Sequence, residues 1–336
     1  MNTPKDPKDP PAEDPQQSLT SPPLDTPKSP MWEASNALRY LRQQMIRKIQ
    51  KGQRRLICYV SGVDAEVAPE DTVGFAELLH SVPQGSEVDL LLHTNGGDID
   101  ASEKLMAMVR SRTGTANVRV IVPDAAKSAG TLIAIGADKI VMSDTSELGP
   151  IDPQFSFDDG RGNVIQHSVL TYLEAYVEHT AALRRNPQDE VARLMLGKLN
   201  PATVRKLELV KKRAREVAEK HMRRWMFRKQ PGNFTQIASD LMNTDLWPSH
   251  GQMISWQDAV RMGLLIEHIP SQNQEWAALW RLYCSQRLVV GDRQKLFESD
   301  QICYAVDSVR TAPGAKKRTI RKVAPPPSAG DSDSPA

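Results

Sequence analysis

From Arg54 to Met142 the hydrophobic positions fall into two kinds of run that take turns along the chain. Short uninterrupted ones, "RRLICYV" (54 to 60), "EVDLLLHT" (87 to 94), "NVRVIVP" (117 to 123) and "KIVM" (139 to 142), have the length and branched apolar content of strands. Longer mixed ones, "PEDTVGFAELLHSV" and "DASEKLMAMVRSR", stand between them and read as helices. In the second, Asp100 precedes Glu103 by three residues, which predicts a capping box at its start. The strands are too apolar to keep a wet face, and their alternation with helices implies a parallel sheet covered by helices. An α/β domain is expected up to about residue 155.

Outside this stretch helical spacing dominates. Ala34, Leu38, Leu41, Met45 and Ile49 form one apolar stripe between Trp32 and Gln50, so a helix there needs a surface to pack on. "FSFDDGRGNVIQ" reads as a hairpin around Asp159-Gly160, and the chain then turns helical to about 229. Leu207, Val210, Ala214, Val217, Ala218, Met222 and Trp225 make the stripe of a long helix in this arm. Further on, Trp247-Pro248 forces an extended or turn conformation, and Ser255 with Asp258 starts a helix that stops near Gly263.

Composition places these elements in one large domain with appendages, because 40% hydrophobic and 25% charged is globular usage for 336 residues. Residues 1 to 30 hold nine of the 24 prolines and cannot bury enough apolar surface to order. The expected division is a disordered proline-rich tail over 1–30, an amphipathic helix over 31–53 and a main domain over 54–270, with the helical arm at about 168–229. A helical extension over 271–310 and a disordered basic, proline-rich tail over 311–336 complete it.

A net charge of +2 is too small to argue for nucleic acid. Eleven Lys or Arg against three Glu between 203 and 229 leave one face of the arm basic, but little aromatic interleaving favours a solvated face or an oligomer contact. Cys58, Cys284 and Cys303 share no metal-ligand spacing and fit free thiols in a reducing cytoplasm. No window is apolar enough to span a membrane and no signal peptide is evident, so a cytoplasmic location is expected.

The candidate chemistry lies in "IVPDAAKSAGTLIAIGADKIVMSDTSELGPIDPQ" (121 to 154). Pro123 ends a strand, Asp124 to Lys127 connect, and Ser128 falls at the start of a helix of small residues. The positive end of the helix dipole and its unpaired N–H groups there favour developing negative charge, and Ala129 and Gly130 let a substrate backbone approach. The same position suits a plain N-cap, and this stretch alone leaves cap and nucleophile both open. One strand earlier, "LLLHTNGGDID" ends a strand in Gly96-Gly97 and opens a helix, which can bring backbone N–H groups beside the Ser128 loop as an oxyanion-hole candidate.

"HTNGGD", "AAKSAGTLIAIGADKIVM" and "LGPIDPQ" resemble the Clp protease and crotonase superfamily, and within it the serine dehydrogenase proteinase family, whose assigned activity is proteolysis. The resemblance covers roughly residues 55 to 270 and is strongest from 90 to 154. It implies a Clp protease/crotonase-like spiral of strand-strand-helix units, usually assembled into oligomers, and a serine peptidase acting on peptide or protein substrates without metal or organic cofactor. Ser128 would be the nucleophile, with the Gly96, Gly97 and Ala129 amides around the oxyanion. Clp-type proteases carry their histidine about two dozen residues after the serine, where this chain has Asp152. The resemblance to the serine dehydrogenase proteinases implies a Ser, Asp, His order, with Asp152 orienting an imidazole supplied later.

Seven histidines compete for that place: His80, His93, His167, His179, His221, His250 and His268. His179 and His221 sit in expected helices away from the loops, whereas His250 sits in a loop that can aim a side chain; His93 and His167 stand behind it. A Ser-Lys dyad, as in signal-peptide peptidase A of the same superfamily, would draw on Lys198, Lys206 or Lys211, Lys127 being read as a surface charge. A catalytically silent peptide-binding or scaffold protein, and an acyl-CoA enzyme of the crotonase type, are the readings from other classes.

Overall fold

The computed structural model describes residues 29–50, 52–158 and 164–308. The expected tails, apart from residues 29 and 30, and the Asp159-Gly160 turn lie outside the described residues. Along the chain come α1 (Pro30–Ile49), β1 (Arg55–Ser61), α2 (Asp71–His80), β2 (Val88–His93), α3 (Ile99–Thr113), β3 (Val118–Ile121), β4 (Ala125–Ala126), α4 (Ala129–Ala134) and β5 (Lys139–Met142). Then follow β6 (Glu147–Leu148), β7 (Gln154–Asp158), β8 (Val164–Ser168), α5 (Val169–Arg185), α6 (Glu190–Gly197) and α7 (Pro201–His221), which runs on through a π-helical turn, Met222–Met226. The last are α8 (Phe234–Leu241), α9 (Trp256–Met262), β9 (Ile266–His268), α10 (Gln274–Arg287), β10 (Gln294–Glu298) and β11 (Cys303–Asp307).

The four strands read from the sequence are the centre of a seven-stranded sheet of order β11-β10-β1-β2-β3-β5-β9. β1, β2, β3, β5 and β9 run parallel, with Ile57 opposite Leu90, Leu90 opposite Val120 and Val120 opposite Ile140. Every residue of β2 is buried, as strands covered on both faces require. One face packs α2, α3, α4 and the end of α7 around Phe75, Leu105, Ile133 and Val217. The other face is covered by α1 and α10 through Ile46, Trp276, Leu279 and Leu282.

Three local expectations change. Helix α3 begins earlier than its expected capping box: Asp98 is the N-cap and accepts from Ala101 N at 2.6 Å, while Glu103 pairs with Arg213 and Lys220 of α7. The α1 stripe is only in part the buried face: Met45 and Ile49 pack on the core beside the inward-turned Arg42, Gln43 and Ile46, while Leu38 and Leu41 stay exposed. Arg42 turns inward because it reaches both carboxylate oxygens of the buried Glu298. The 271–310 extension is a helix followed by two antiparallel strands that widen the sheet beside β1. β10 hides its nature because Lys295 and Glu298 are buried and paired, with Asp71 and Arg42, while Leu296 and Phe297 face the two cores.

The segment after β8 consists of α5, α6 and α7. Val169, Leu173, Val204 and Leu207 make a small core of their own, and the second half of α7 enters the main core through Ala214, Val217 and Ala218. β7 and β8 form the expected hairpin, with Phe155 opposite His167.

Candidate active site

A second, miniature set of pairings sits at the carboxyl ends of the central strands. β4 pairs parallel with β6, Thr94 bridges Ala126, Val67 bridges Gly97, and Leu148 bridges Ile254. Four chain segments are thereby fixed against one another. Gly96-Gly97 follows Thr94, Ser128 follows β4, Asp152 follows β6, and His250 precedes Ile254. The side chain of Thr131 adds a tie between the first turn of α4 and the Asp152 segment, lying 2.8 Å from Ala126 O and 2.7 Å from Gly149 O.

From Ala125 to Ala137 every residue is buried except Ser128, so the segment has one opening and the serine occupies it. Ser128 is the N-cap of α4, yet its side chain accepts no cap hydrogen bond. Among the described residues it is the single non-glycine with positive φ, at φ 50° and ψ −110°. That is the backbone of the first central residue of a type II′ turn, which glycine adopts freely and serine adopts under strain. A cap explains neither the strain nor the missing bond; a sharp strand-to-helix elbow that exposes a hydroxyl explains both.

Gly96, at φ +111°, lies directly against this elbow. A Cβ there would stand 2.8 Å from Ser128 Cβ, 3.0 Å from Lys127 O and 3.5 Å from Ala129 N. Its N–H donates to Thr94 Oγ1 at 3.2 Å. The neighbouring Gly97 is exposed, and the bridge to Val67 uses the Gly96 carbonyl and the Asp98 N–H, leaving the Gly97 N–H outside that ladder. The Ala129 N–H stands at the first helical position, where no intrahelical acceptor exists. Of the three expected oxyanion donors, Gly97 and Ala129 are therefore the freer pair.

Asp152 is buried. Ser168, the N-cap of α5, donates to its Oδ1 at 2.6 Å, and Gln154 Nε2 lies 2.8 Å from its Oδ2. His250, half-exposed, brings Nδ1 to 3.7 Å from the same Oδ2 and 3.3 Å from Gln154 Nε2. Asp152 and His250 thus meet as an ion-pair-range couple with the Gln154 amide beside it. Ser128 Oγ makes no hydrogen bond among the described residues. In the sequence Gln154 is marked only as the end of the "GPIDPQ" segment, and nothing near Ser168 announces its reach to Asp152.

Four other histidines are engaged elsewhere. His93 is buried on the opposite face of the sheet beside Tyr283, whose hydroxyl lies 3.2 Å from Nδ1 and donates to Asp124 at 2.6 Å. Burial lowers its pKa to about 4, against the raising effect of Asp124. His221 is not remote, as expected, but buried under α4 with Nδ1 2.9 Å from Leu132 O, and burial lowers its pKa too. His268 stacks on Trp256 at 3.9 Å and meets Asp144 at 2.9 Å. His167 packs beside Phe155.

Lys127 is not the surface charge expected. It is 9% exposed, pairs with Glu147 at 2.8 Å and points its ammonium at Gly251 O and Gln252 O. Lys198, Lys206 and Lys211 are exposed on α7 and the turn before it. No cluster of three or more metal-ligating side chains occurs among the described residues, and no described helix is long and apolar enough to cross a membrane.

The glycine pair and the serine elbow thus stand at adjacent strand ends of a mostly parallel α/β sheet. Residues 66–171 match the family model described as "ClpP-like SDH-type serine proteinase". Two uncharacterized proteins of Methanocaldococcus jannaschii are similar in part. One is 40% identical over 85 residues, 25% of this chain and 29% of that protein. The other is 34% identical over 107 residues, 32% of this chain and 33% of that protein. The chain thus spans about a third of the length of the curated relatives it matches. Among solved structures it resembles 1510-N, a membrane-bound stomatin-specific protease. A lysine-to-alanine mutant in complex with a substrate peptide aligns at TM-score 0.38 and 16% identity, over 66% of this chain and 78% of that one. A serine-to-alanine mutant aligns at TM-score 0.39 and 14% identity, over 67% and 83%.

Proposed function

We propose that this protein is a serine endopeptidase in which Ser128 is the nucleophile, His250 its general base and Asp152 the group that orients the imidazole. The observation that carries the reading is the state of Ser128: a strained, uncapped serine at the one opening of a buried segment. Deprotonated as it attacks a peptide carbonyl, its oxygen becomes the ester oxygen of an acyl-enzyme. The charge on the carbonyl oxygen falls toward the Gly97 and Ala129 N–H groups and the start of α4, with Gly96 keeping the approach open. The His250 imidazole takes the serine proton and passes it to the leaving amine; water then repeats the sequence and releases the acid.

For this, His250 Nδ1–H must donate to Asp152. In the resting arrangement Gln154 Nε2 competes for Nδ1, and the carboxylate stands 3.7 Å away. A closure of about 0.8 Å brings the pair to hydrogen-bond distance, a tightening usual when substrate enters such a site. A dyad built on Lys198, Lys206 or Lys211 is disfavoured, because a lysine base needs a desolvated site and these three are exposed.

The test is labelling with a fluorophosphonate probe and hydrolysis of a short peptide by wild type and Ser128→Ala. Both signals are expected in the wild type and neither in a folded Ser128→Ala protein. Wild-type hydrolysis by the purified variant sinks the reading. A peptide or protein substrate, a homo-oligomeric state and a cytoplasmic location belong to the same proposal.

A further inference from the structure

Lys127 is the residue next to Ser128, and its side chain reaches the loop that carries His250. Its ammonium has three N–H groups and meets three acceptors: Glu147 Oε1 at 2.8 Å, Gly251 O at 3.3 Å and Gln252 O at 3.4 Å. The stem reaches them across Gly149, where a Cβ would stand 2.6 Å from Lys127 Cδ and 3.1 Å from its Cα. Only glycine at 149 leaves that passage. Glu147 is itself fixed by its backbone, through the β4–β6 pairing and a bond from its N–H to Asp124 O at 2.7 Å.

We propose that Lys127 is a positioning residue that clamps the 250–252 loop to the Ser128 elbow and so sets the His250 imidazole against the hydroxyl. The proposal rests on His250 being the base. Its logic is geometric. The loop is tied to the miniature sheet at Ile254, four residues beyond His250. The two carbonyls that Lys127 binds are those immediately after His250, so the clamp shortens the free span from four residues to one. Its three contacts, two carbonyls and a carboxylate, turn Nζ toward the loop. Displacing a general base by about 1 Å lowers a rate on the order of a hundredfold, so a clamp at this point reports directly in turnover.

The test compares kcat and KM for one short peptide, and the rate of fluorophosphonate labelling, in wild type, Lys127→Met, Lys127→Arg, Glu147→Gln, His250→Ala and Lys127→Met combined with His250→Ala. Expected are a ten- to hundredfold fall in kcat and labelling rate for Lys127→Met with KM within about twofold, partial recovery in Lys127→Arg, and a smaller fall of the same kind in Glu147→Gln. The double variant should be no slower than His250→Ala alone, because removing the clamp cannot matter once the clamped imidazole is gone. Wild-type kcat in a folded Lys127→Met protein overturns the proposal. So do losses that multiply in the double variant, or equal inactivity of the Met and Arg variants, which would make the lysine a base. Should Lys127→Met fail to fold, Glu147→Gln and its combination with His250→Ala carry the same comparison. Full activity in His250→Ala alone is a separate result: it sinks the triad, and the clamp with it, whatever the Lys127 variants do.

Discussion

Ser128 holds a backbone conformation that costs a non-glycine residue about 1 to 3 kcal/mol. Its hydroxyl returns none of this as a cap bond. Replacing it with glycine should therefore stabilise the fold by about 1 kcal/mol after the added freedom of the unfolded chain is set against the strain, while Ser128→Ala gains nothing. Urea midpoints of the two variants decide this; equal midpoints would mean that the elbow stores no strain. A stabilised but inactive glycine variant is the pattern of a residue kept for chemistry.

His93 makes a second prediction at the same scale. Its pKa in the fold, about 4 because of burial, lies below the 6.5 of an exposed imidazole. Between those values the unfolded chain binds a proton that the folded chain refuses, so stability is complete above about pH 6.5 and is lost as pH falls toward 4. Thermal melts from pH 7 to pH 4 should show Tm falling through this window, and His93→Gln should flatten the fall. An unchanged slope in His93→Gln would assign the acid sensitivity elsewhere. His93 lies beneath the Asp124 end of the elbow connection through Tyr283, so acid should loosen the elbow as it loosens the fold.

Among the elements, β10 is held by charges that the strand rule would place outside. Lys295 and Asp71, 3% and 2% exposed, meet at 2.7 Å, and Tyr59 donates its hydroxyl to the same carboxylate. Burial pushes the Asp71 carboxyl up, against the lowering effect of Lys295. Removing one partner leaves the other charge buried alone, and Lys295→Met should cost about 3 to 5 kcal/mol. A loss under about 1 kcal/mol in urea unfolding would mean that water reaches the site.

This pair also explains what the sequence could and could not disclose. Four of the five parallel strands are legible because their signal is local, an apolar run in each; β9 is too short to give one. Helix α9 was legible for the same reason, its Ser255–Asp258 capping box and left-handed Gly263 both lying within the element. β10 was not, because its charged residues are neutralised by partners far away in sequence. The α3 start was missed for a related reason: Glu103 has its cations on α7, and Asp98 takes the cap. At the site, the serine elbow and glycine pair can be read as motifs, whereas the sequence leaves several histidines open as the partner of Asp152. The reach of Lys127 to Gly251 and of Ser168 to Asp152 crosses between segments and leaves no pattern within either one.

For the molecule as a whole, the arm presents apolar side chains to solvent on three helices. Val177, Val191, Leu194 and Leu209 are each half-exposed or more, on α5, α6 and α7. Such surface marks a contact, and a second copy of the chain is the partner the proposed oligomer supplies. Light scattering at micromolar concentration should give a multiple of the chain mass, and Leu194→Glu with Val191→Glu should lower it. A monomer in the unmodified protein counts against the claim.

The antiparallel closure of the sheet has a consequence for how the chain is made. β1 leaves the ribosome more than 200 residues ahead of its partner on one side, β10, with Cys58 opposite Glu298. At roughly 5 to 20 residues per second, the β1 edge, Tyr59 included, waits on the order of tens of seconds for its neighbour. The parallel strands on the other side can pair in the meantime and form a platform. Until β10 docks, Asp71 lacks its cation and Phe75 lacks the Phe297 ring that packs on it. A nascent chain stalled before residue 294 should therefore display an open strand edge, a hazard for edge-to-edge association that chaperones recognise and that the finished protein conceals.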